Sequence, residues 1–144
     1  MSGGVDSSVV AVLARRALGE KALGLILPCD SDPKDSERAK MITEKFGIRT
    51  EKIDLTSVFN QFKKSLPSAD DKTLGNLKSR LRMCALYYFA NENNYLVLGT
   101  SNKSEIAIGY FTKYGDSAAD LEPIGGVYKT QVLEYAKHLE IPDE

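Results

Sequence analysis

The chain has 144 residues, 42% of them hydrophobic, which is enough to bury the core of one domain. Its formal net charge of -1 gives no general pull toward nucleic acid or anionic lipid. No apolar run approaches the roughly 20 residues that cross a bilayer, and no basic segment followed by an apolar one opens the chain, so a soluble, globular, cytoplasmic protein is expected.

The chain opens on Ser2-Gly3-Gly4-Val5-Asp6-Ser7, which runs without a breaker into Ser8-Val9-Val10-Ala11-Val12-Leu13-Ala14. Glycines let backbone N–H groups come close to an anion, and the first turn of a helix adds outward amides and partial positive charge. The hydroxyls of Ser2, Ser7 and Ser8 can donate to phosphate oxygens, and Asp6 can hold the Mg²⁺ that a polyphosphate brings. Helix capping alone calls for neither two glycines nor three hydroxyls. No Lys follows the glycines, so the loop is not the G-x-x-x-x-G-K-[ST] loop of ordinary kinases and GTPases.

The first helix is predicted from about Asp6 to Leu18, stopped by Gly19, and Ala22 to Leu27 has the form of a short buried parallel strand ended by Pro28. The pattern repeats as a helix from Ser36 to Phe46, stopped by Gly47, and a strand over Ile48 to Leu55. A helix from about Ser57 to Leu66 then leads to the polar stretch Pro67 to Asp71, read as a mobile loop. The longest helix is predicted from about Leu74 to Asn91, with Leu77, Leu81, Ala85 and Tyr88 on one face. Tyr95 to Gly99 reads as a third strand and Lys129 to Leu139 as a last helix before Pro142. Alternating strands and helices imply a three-layer α/β sandwich with a parallel sheet and a ligand crevice at the carboxyl ends of its strands. The central strand of such a sheet is expected just before the phosphate loop, yet only Met1 precedes Ser2. A sheet without that strand would leave backbone groups unpaired, so these residues by themselves are expected to fold poorly.

Cys29 and Cys84 form no C-x-x-C pair and are expected to be reduced, and His138, the sole histidine, has no partner at metal-ligand spacing. Polar groups crowd after the third predicted strand, in Leu98-Gly99-Thr100-Ser101-Asn102-Lys103-Ser104-Glu105 and on through Gly109 to Asp120 and Pro123 to Lys129. Charges of both signs there, Glu105, Asp116 and Asp120 against Lys103, Lys113 and Lys129, suit a nucleotide with its metal. A solvated loop is the plain alternative on composition alone, as a solvated helix face is for Arg80 and Arg82.

The S-G-G-x-D-S loop resembles that of the pyrophosphatase-loop enzymes, which split ATP between its α- and β-phosphates. With N-L-K-S-R-L-R-M on the long helix, L-G-T-S-N-K-S-E, G-Y-F-T-K-Y-G-D-S-A-A-D-L-E-P-I and Y-K-T-Q-V, the chain resembles the ammonia-dependent NAD synthetases from residue 2 to about 142. The resemblance implies a Rossmann-like fold of the adenine-nucleotide α-hydrolase kind, its first strand absent from the chain, in a single domain over 1–144 that is incomplete at both ends. It implies a carbon–nitrogen ligase that makes NAD, AMP and pyrophosphate from deamido-NAD, ATP and ammonia, with Mg²⁺ as cofactor and ATP as co-substrate. By the same resemblance Ser2, Gly3, Gly4, Asp6, Ser7, Ser8, Thr100 and Lys129 contact ATP, and Asp6 and Glu105 hold Mg²⁺. Arg80, Lys113 and Asp120 contact deamido-NAD, and the long helix packs against a second subunit of a homodimer.

Two departures from the family pattern stand out. Ser117 and Ala118 occupy positions where glycines are usual, and the family's closing segment is expected beyond Glu144. The same phosphate loop serves tRNA-modifying adenylases, whose substrate calls for a basic stripe or an added RNA domain that a net charge of -1 does not supply. A catalytically incomplete nucleotide-binding fragment is the other reading left open.

Overall fold

A computed structural model describes residues 1–142. Asp143 and Glu144, where the family's closing segment was expected to follow, lie outside the described residues. Helix α1, Val5–Leu18, begins at an extended Gly4 and ends where Gly19 turns to a φ of 58° and returns its N–H to the Arg15 carbonyl. A 3-10 turn, Gly19–Lys21, leads into strand β1, Leu23–Ile26. Helix α2, Pro33–Lys45, starts earlier than its apolar spacing suggests, because Asp32 caps the Lys34 N–H and Pro33 fits the first helical position. Gly47, at a φ of 60°, turns the chain into strand β2, Arg49–Lys52, which pairs with β1 in parallel from Leu23 opposite Arg49 to Ile26 opposite Lys52.

Helix α3, Thr56–Ser65, precedes α4, Asp71–Asn93. The polar stretch read as a mobile loop is shorter than predicted: Asp70 accepts the Thr73 N–H at 2.7 Å, and that cap starts α4 at Asp71. Helix α4 ends at Asn94, which takes the left-handed conformation that asparagine tolerates. Two further helices, α5 (Lys103–Ile108) and α6 (Lys129–His138), complete the described elements.

The sheet lies between two helical layers, giving a Rossmann-like three-layer α/β fold. One core joins Val9, Val10 and Val12 of α1 to Ile42 of α2 and Val132 and Ala136 of α6, with Ile48 and Ile124 between them. The other joins Leu25, Leu27, Cys29 and Leu55 to Phe59 of α3, with Leu74, Leu77, Leu81 and Ala85 of α4 packed against it. Both cysteines are free thiols, and burial pushes the Cys29 pKa up.

One predicted element needs correction. Tyr95 to Gly99 forms no ladder among the described residues and makes a single parallel bridge, Leu98 with Leu121. The reason lies in its partner: the Asp120 carboxylate takes the Val97 N–H at 2.7 Å, and Pro123 follows two residues after Leu121 with no N–H to continue pairing.

Candidate functional site

The start of α1 and the loop after residue 99 face one another across a cleft of about 170 Å³, lined by Ser2, Gly4, Asp6, Ser7, Thr100, Ser101, Glu105, Tyr110 and Asp116. The loop before α1 closes on itself: the Ser7 hydroxyl accepts the Ser2 N–H at 3.3 Å, and the Ser2 hydroxyl accepts the Gly4 N–H at 3.3 Å. Gly4 brings no side chain over the first turn of α1, so the positive end of the helix opens onto the cleft. Met1 lies against β1, its nitrogen donating to the Leu25 carbonyl, which seats the loop at the strand's carboxyl end. Ser8 is different. It is fully buried and its hydroxyl donates to the Gly4 carbonyl at 3.0 Å, so it buttresses the loop and does not line the cleft.

Asp6 and Glu105, far apart in sequence, line the same cleft and share a neighbour that the sequence reading did not single out. Asn102 donates through Nδ2 to Asp6 Oδ1 at 2.9 Å, while its Oδ1 accepts the Glu105 N–H at 3.0 Å. Glu105 Oε2 in turn accepts the Asn102 N–H, completing a capping box at the start of α5. The N-x-x-E spacing of 102 to 105 carried that signal, and the short helix it opens was missed with it. Lys129, at the start of α6, pairs with Asp6 Oδ2.

The donors facing the cleft are carboxylate and hydroxyl oxygens, the set a hard divalent cation prefers, and Mg²⁺ commonly takes only one or two carboxylates with phosphates supplying the rest. Among the described residues no group of three or more His, Cys, Asp and Glu is clustered as a self-sufficient metal centre. The site therefore fits a cation that arrives with a polyphosphate.

A second cluster joins α4 to the 109–120 run. Arg80 Nε donates to the Lys113 carbonyl at 3.2 Å, Ser79 donates to Asp116 at 2.7 Å, and the Lys113 ammonium lies 5.0 Å from the Tyr114 ring centre. Arg80, Lys113 and Asp120 are exposed and none of them lines the cleft, which this cluster reaches through Asp116; Asp120 spends its carboxylate on the Val97 N–H and the Tyr87 hydroxyl. Arg82 is no solvated helix residue: it donates to the Leu27 carbonyl at 2.9 Å and to the Ser31 hydroxyl at 2.8 Å, tying α4 to the end of β1.

Glu122 also braces the cleft. Its carboxylate accepts the Ser101 N–H at 3.0 Å and lies so close to Gly99 that any side chain there would overlap it. Burial, and then the nearby Asp116 and Glu105, push its pKa up, against the pull of the Ser101 N–H. A carboxyl raised on folding contributes stability that is full below its unfolded value, 4.5, and is lost as pH rises through the folded value. Glu122→Gln keeps an acceptor for Ser101 and removes the titration. The melting temperature of the variant relative to the parent should therefore climb as pH goes from about 4.5 toward 7, and a constant difference would contradict this role.

Parallel strands sandwiched by helices, with a glycine-serine loop opening α1 at a strand end, define a Rossmann-like α/β protein. The NAD synthase family model matches residues 1–144, and the chain belongs to that family. It is 51% identical to the NH(3)-dependent NAD(+) synthetase of Methanocaldococcus jannaschii, covering 100% of the chain and 58% of that protein. Identity to the Finegoldia magna protein of the same name is 47%, covering 99% of the chain and 60% of the relative. The chain thus spans about three fifths of the length of these relatives. Among solved structures, the NH3-dependent NAD synthetase of Campylobacter jejuni, in complex with the nitrate ion, superposes with a TM-score of 0.92 at 38% identity over 97% of this chain and 62% of that one. The NMN synthetase of Francisella tularensis gives 0.91, also at 38% identity, over 98% and 60%.

Proposed function

We propose that the protein amidates deamido-NAD with ammonia at the expense of ATP, yielding NAD, AMP and pyrophosphate. The observation that carries the reading is the cleft itself, where a lysine-free anion loop meets Asp6, Thr100 and Glu105 at the strand ends. A nicotinate carboxylate is a poor electrophile because its charge is delocalised and its leaving group would be oxide. Attack of that carboxylate on the α-phosphorus makes an acyl-adenylate and releases pyrophosphate, and ammonia then displaces AMP. The protein's share is positioning and charge neutralisation.

In this reading Ser2, Gly3, Gly4, Ser7 and the first turn of α1 receive the departing pyrophosphate, with Ser8 supporting them from beneath. Asp6 and Glu105 hold Mg²⁺, which neutralises phosphate charge when bound. Lys129, paired with Asp6 in the free protein, turns to the phosphates, and Thr100 meets the nucleotide from the opposite wall. Arg80 and Lys113 take the deamido-NAD side, and Asp120 serves it by fixing Val97 and, through it, the segment leading to Thr100. A homodimer packed through α4, whose Tyr88 is 67% exposed, and a cytoplasmic setting complete the proposal. No helix among the described residues is long and apolar enough to cross a membrane.

The test is product analysis on the whole protein with ATP, Mg²⁺ and ammonia. AMP and pyrophosphate should form only when a nicotinate substrate is added, and ADP with phosphate would overturn the reading. The NMN synthetase among the neighbours makes nicotinate mononucleotide the competing substrate, so both are assayed. The synthetases of Methanocaldococcus and Finegoldia, more similar in sequence to this chain, favour deamido-NAD.

A further inference from the structure

We propose that Asn102 is the positioning residue of the site, setting the Asp6 carboxylate and the Glu105 helix in one fixed relation. The inference rests on the proposed role of those two carboxylates. Asn102 is 0% exposed, which is unfavourable for an amide unless its polar atoms are paired. They are paired with the two carboxylate residues and little else: Nδ2 donates to Asp6, while Oδ1 and the backbone N–H exchange bonds with Glu105. The Glu105 N–H is a donor, so the amide oxygen must face it and the NH₂ must face Asp6; the amide orientation is dictated by its partners.

Capping alone does not explain this residue. Ser, Thr, Asp and Asn all cap helices well, and the first three are no less able to accept the Glu105 N–H. Only Asn among them presents an acceptor and an amide donor on one short side chain, and both ends are used. Asp6 has a second partner, Lys129, but its side chain is 42% exposed and can be exchanged for phosphate or metal, whereas Asn102 is locked in the interior. Asn102 thus holds Oδ1 and leaves Oδ2 to face whatever cation the site takes.

The experiment compares Asn102→Ser, Asn102→Thr and Asn102→Ala with the parent in the whole protein. Ser and Thr keep the cap but, with their one short oxygen turned to the Glu105 N–H, lose the separate amide nitrogen that reaches Asp6, Thr filling more of the vacated volume should Ser fold badly; Ala loses both. The primary readout is Mg²⁺ titration by calorimetry in the presence of a non-hydrolysable ATP analogue, with thermal melting of the metal-free proteins alongside. Groups that orient metal ligands typically change metal affinity by about 10- to 100-fold. Ser and Thr should therefore recover much of the melting temperature lost in Ala, yet bind Mg²⁺ about 10- to 100-fold more weakly than the parent. Parental Mg²⁺ affinity in both capped variants would overturn the inference and leave Asn102 a cap. If Asp6→Asn also leaves Mg²⁺ binding unchanged, the metal assignment itself fails; if Asp6→Asn abolishes it while Ser and Thr do not, only the positioning role fails.

Discussion

Asp6→Asn in the whole protein is expected to lower turnover by about 100-fold or more while the protein remains folded. Asparagine is nearly the same size and keeps an oxygen for the Asn102 amide, so the first turn of α1 retains its inner contact. What disappears is the charge on the side that meets Lys129, leaving an amide facing an ammonium. Losing about 3 kcal/mol of charge stabilisation at the reacting phosphates corresponds to roughly two decades in rate. The stability cost is smaller, because an acidic group in a first turn contributes only about 0.3–1 kcal/mol through the helix dipole. Pyrophosphate release at saturating ATP and Mg²⁺, measured beside a melting curve, separates the two effects. Parental turnover would remove Asp6 from the chemistry, and loss of the cooperative melt would make it a structural residue.

The parts of the fold that were legible in the sequence are those written in local chemistry. Gly19 and Gly47 stop α1 and α2 because each must take a positive φ, and both positions follow the last residue of an apolar helical stripe. The turn before α1 was legible for the same reason, since Gly3 and Gly4 sit beside hydroxyls at the start of an unbroken helix. Tyr95 to Gly99 was misread because its apolar alternation resembles a strand, whereas the ladder depends on what lies beside it, and that is Asp120 and Leu121. The roles of Ser8 and Asp120 could not be separated from those of their neighbours by residue type. Which hydroxyl points into the cleft and which carboxylate is consumed by a backbone N–H are decided by the register of α1 and the path of the 109–120 loop. Asn102 was hidden for a similar reason, its amide reaching across 96 positions of sequence to Asp6.

Gly3→Ala should produce the second large effect, on stability and nucleotide binding together. Gly3 has a φ of 85°, and a Cβ there would lie 2.7 Å from the Asp35 carbonyl oxygen and 2.9 Å from Arg38 Cβ. The first of these is backbone of α2 and the second is fixed to it, so neither can step aside as a flexible side chain would. Either the loop lifts off α2 or Gly3 changes conformation, and both break the Ser2–Ser7 closure that shapes the proposed anion seat. A strained left-handed residue costs about 1–3 kcal/mol, and the overlap adds to it, which for a domain of this size lowers the melting temperature by roughly 5–10 °C. The control is Gly75→Ala, in the interior of α4 with nothing within 4 Å of the added methyl. That change should raise stability by about 0.5–1 kcal/mol, because alanine is the better helix former. ATP should shift the melt of Gly75→Ala as it does the parent and should shift that of Gly3→Ala far less. A Gly3→Ala protein that melts like the parent and keeps its ATP-induced shift would mean that the anion seat tolerates a side chain at its closest approach to α2, and that the loop is not what holds the phosphates.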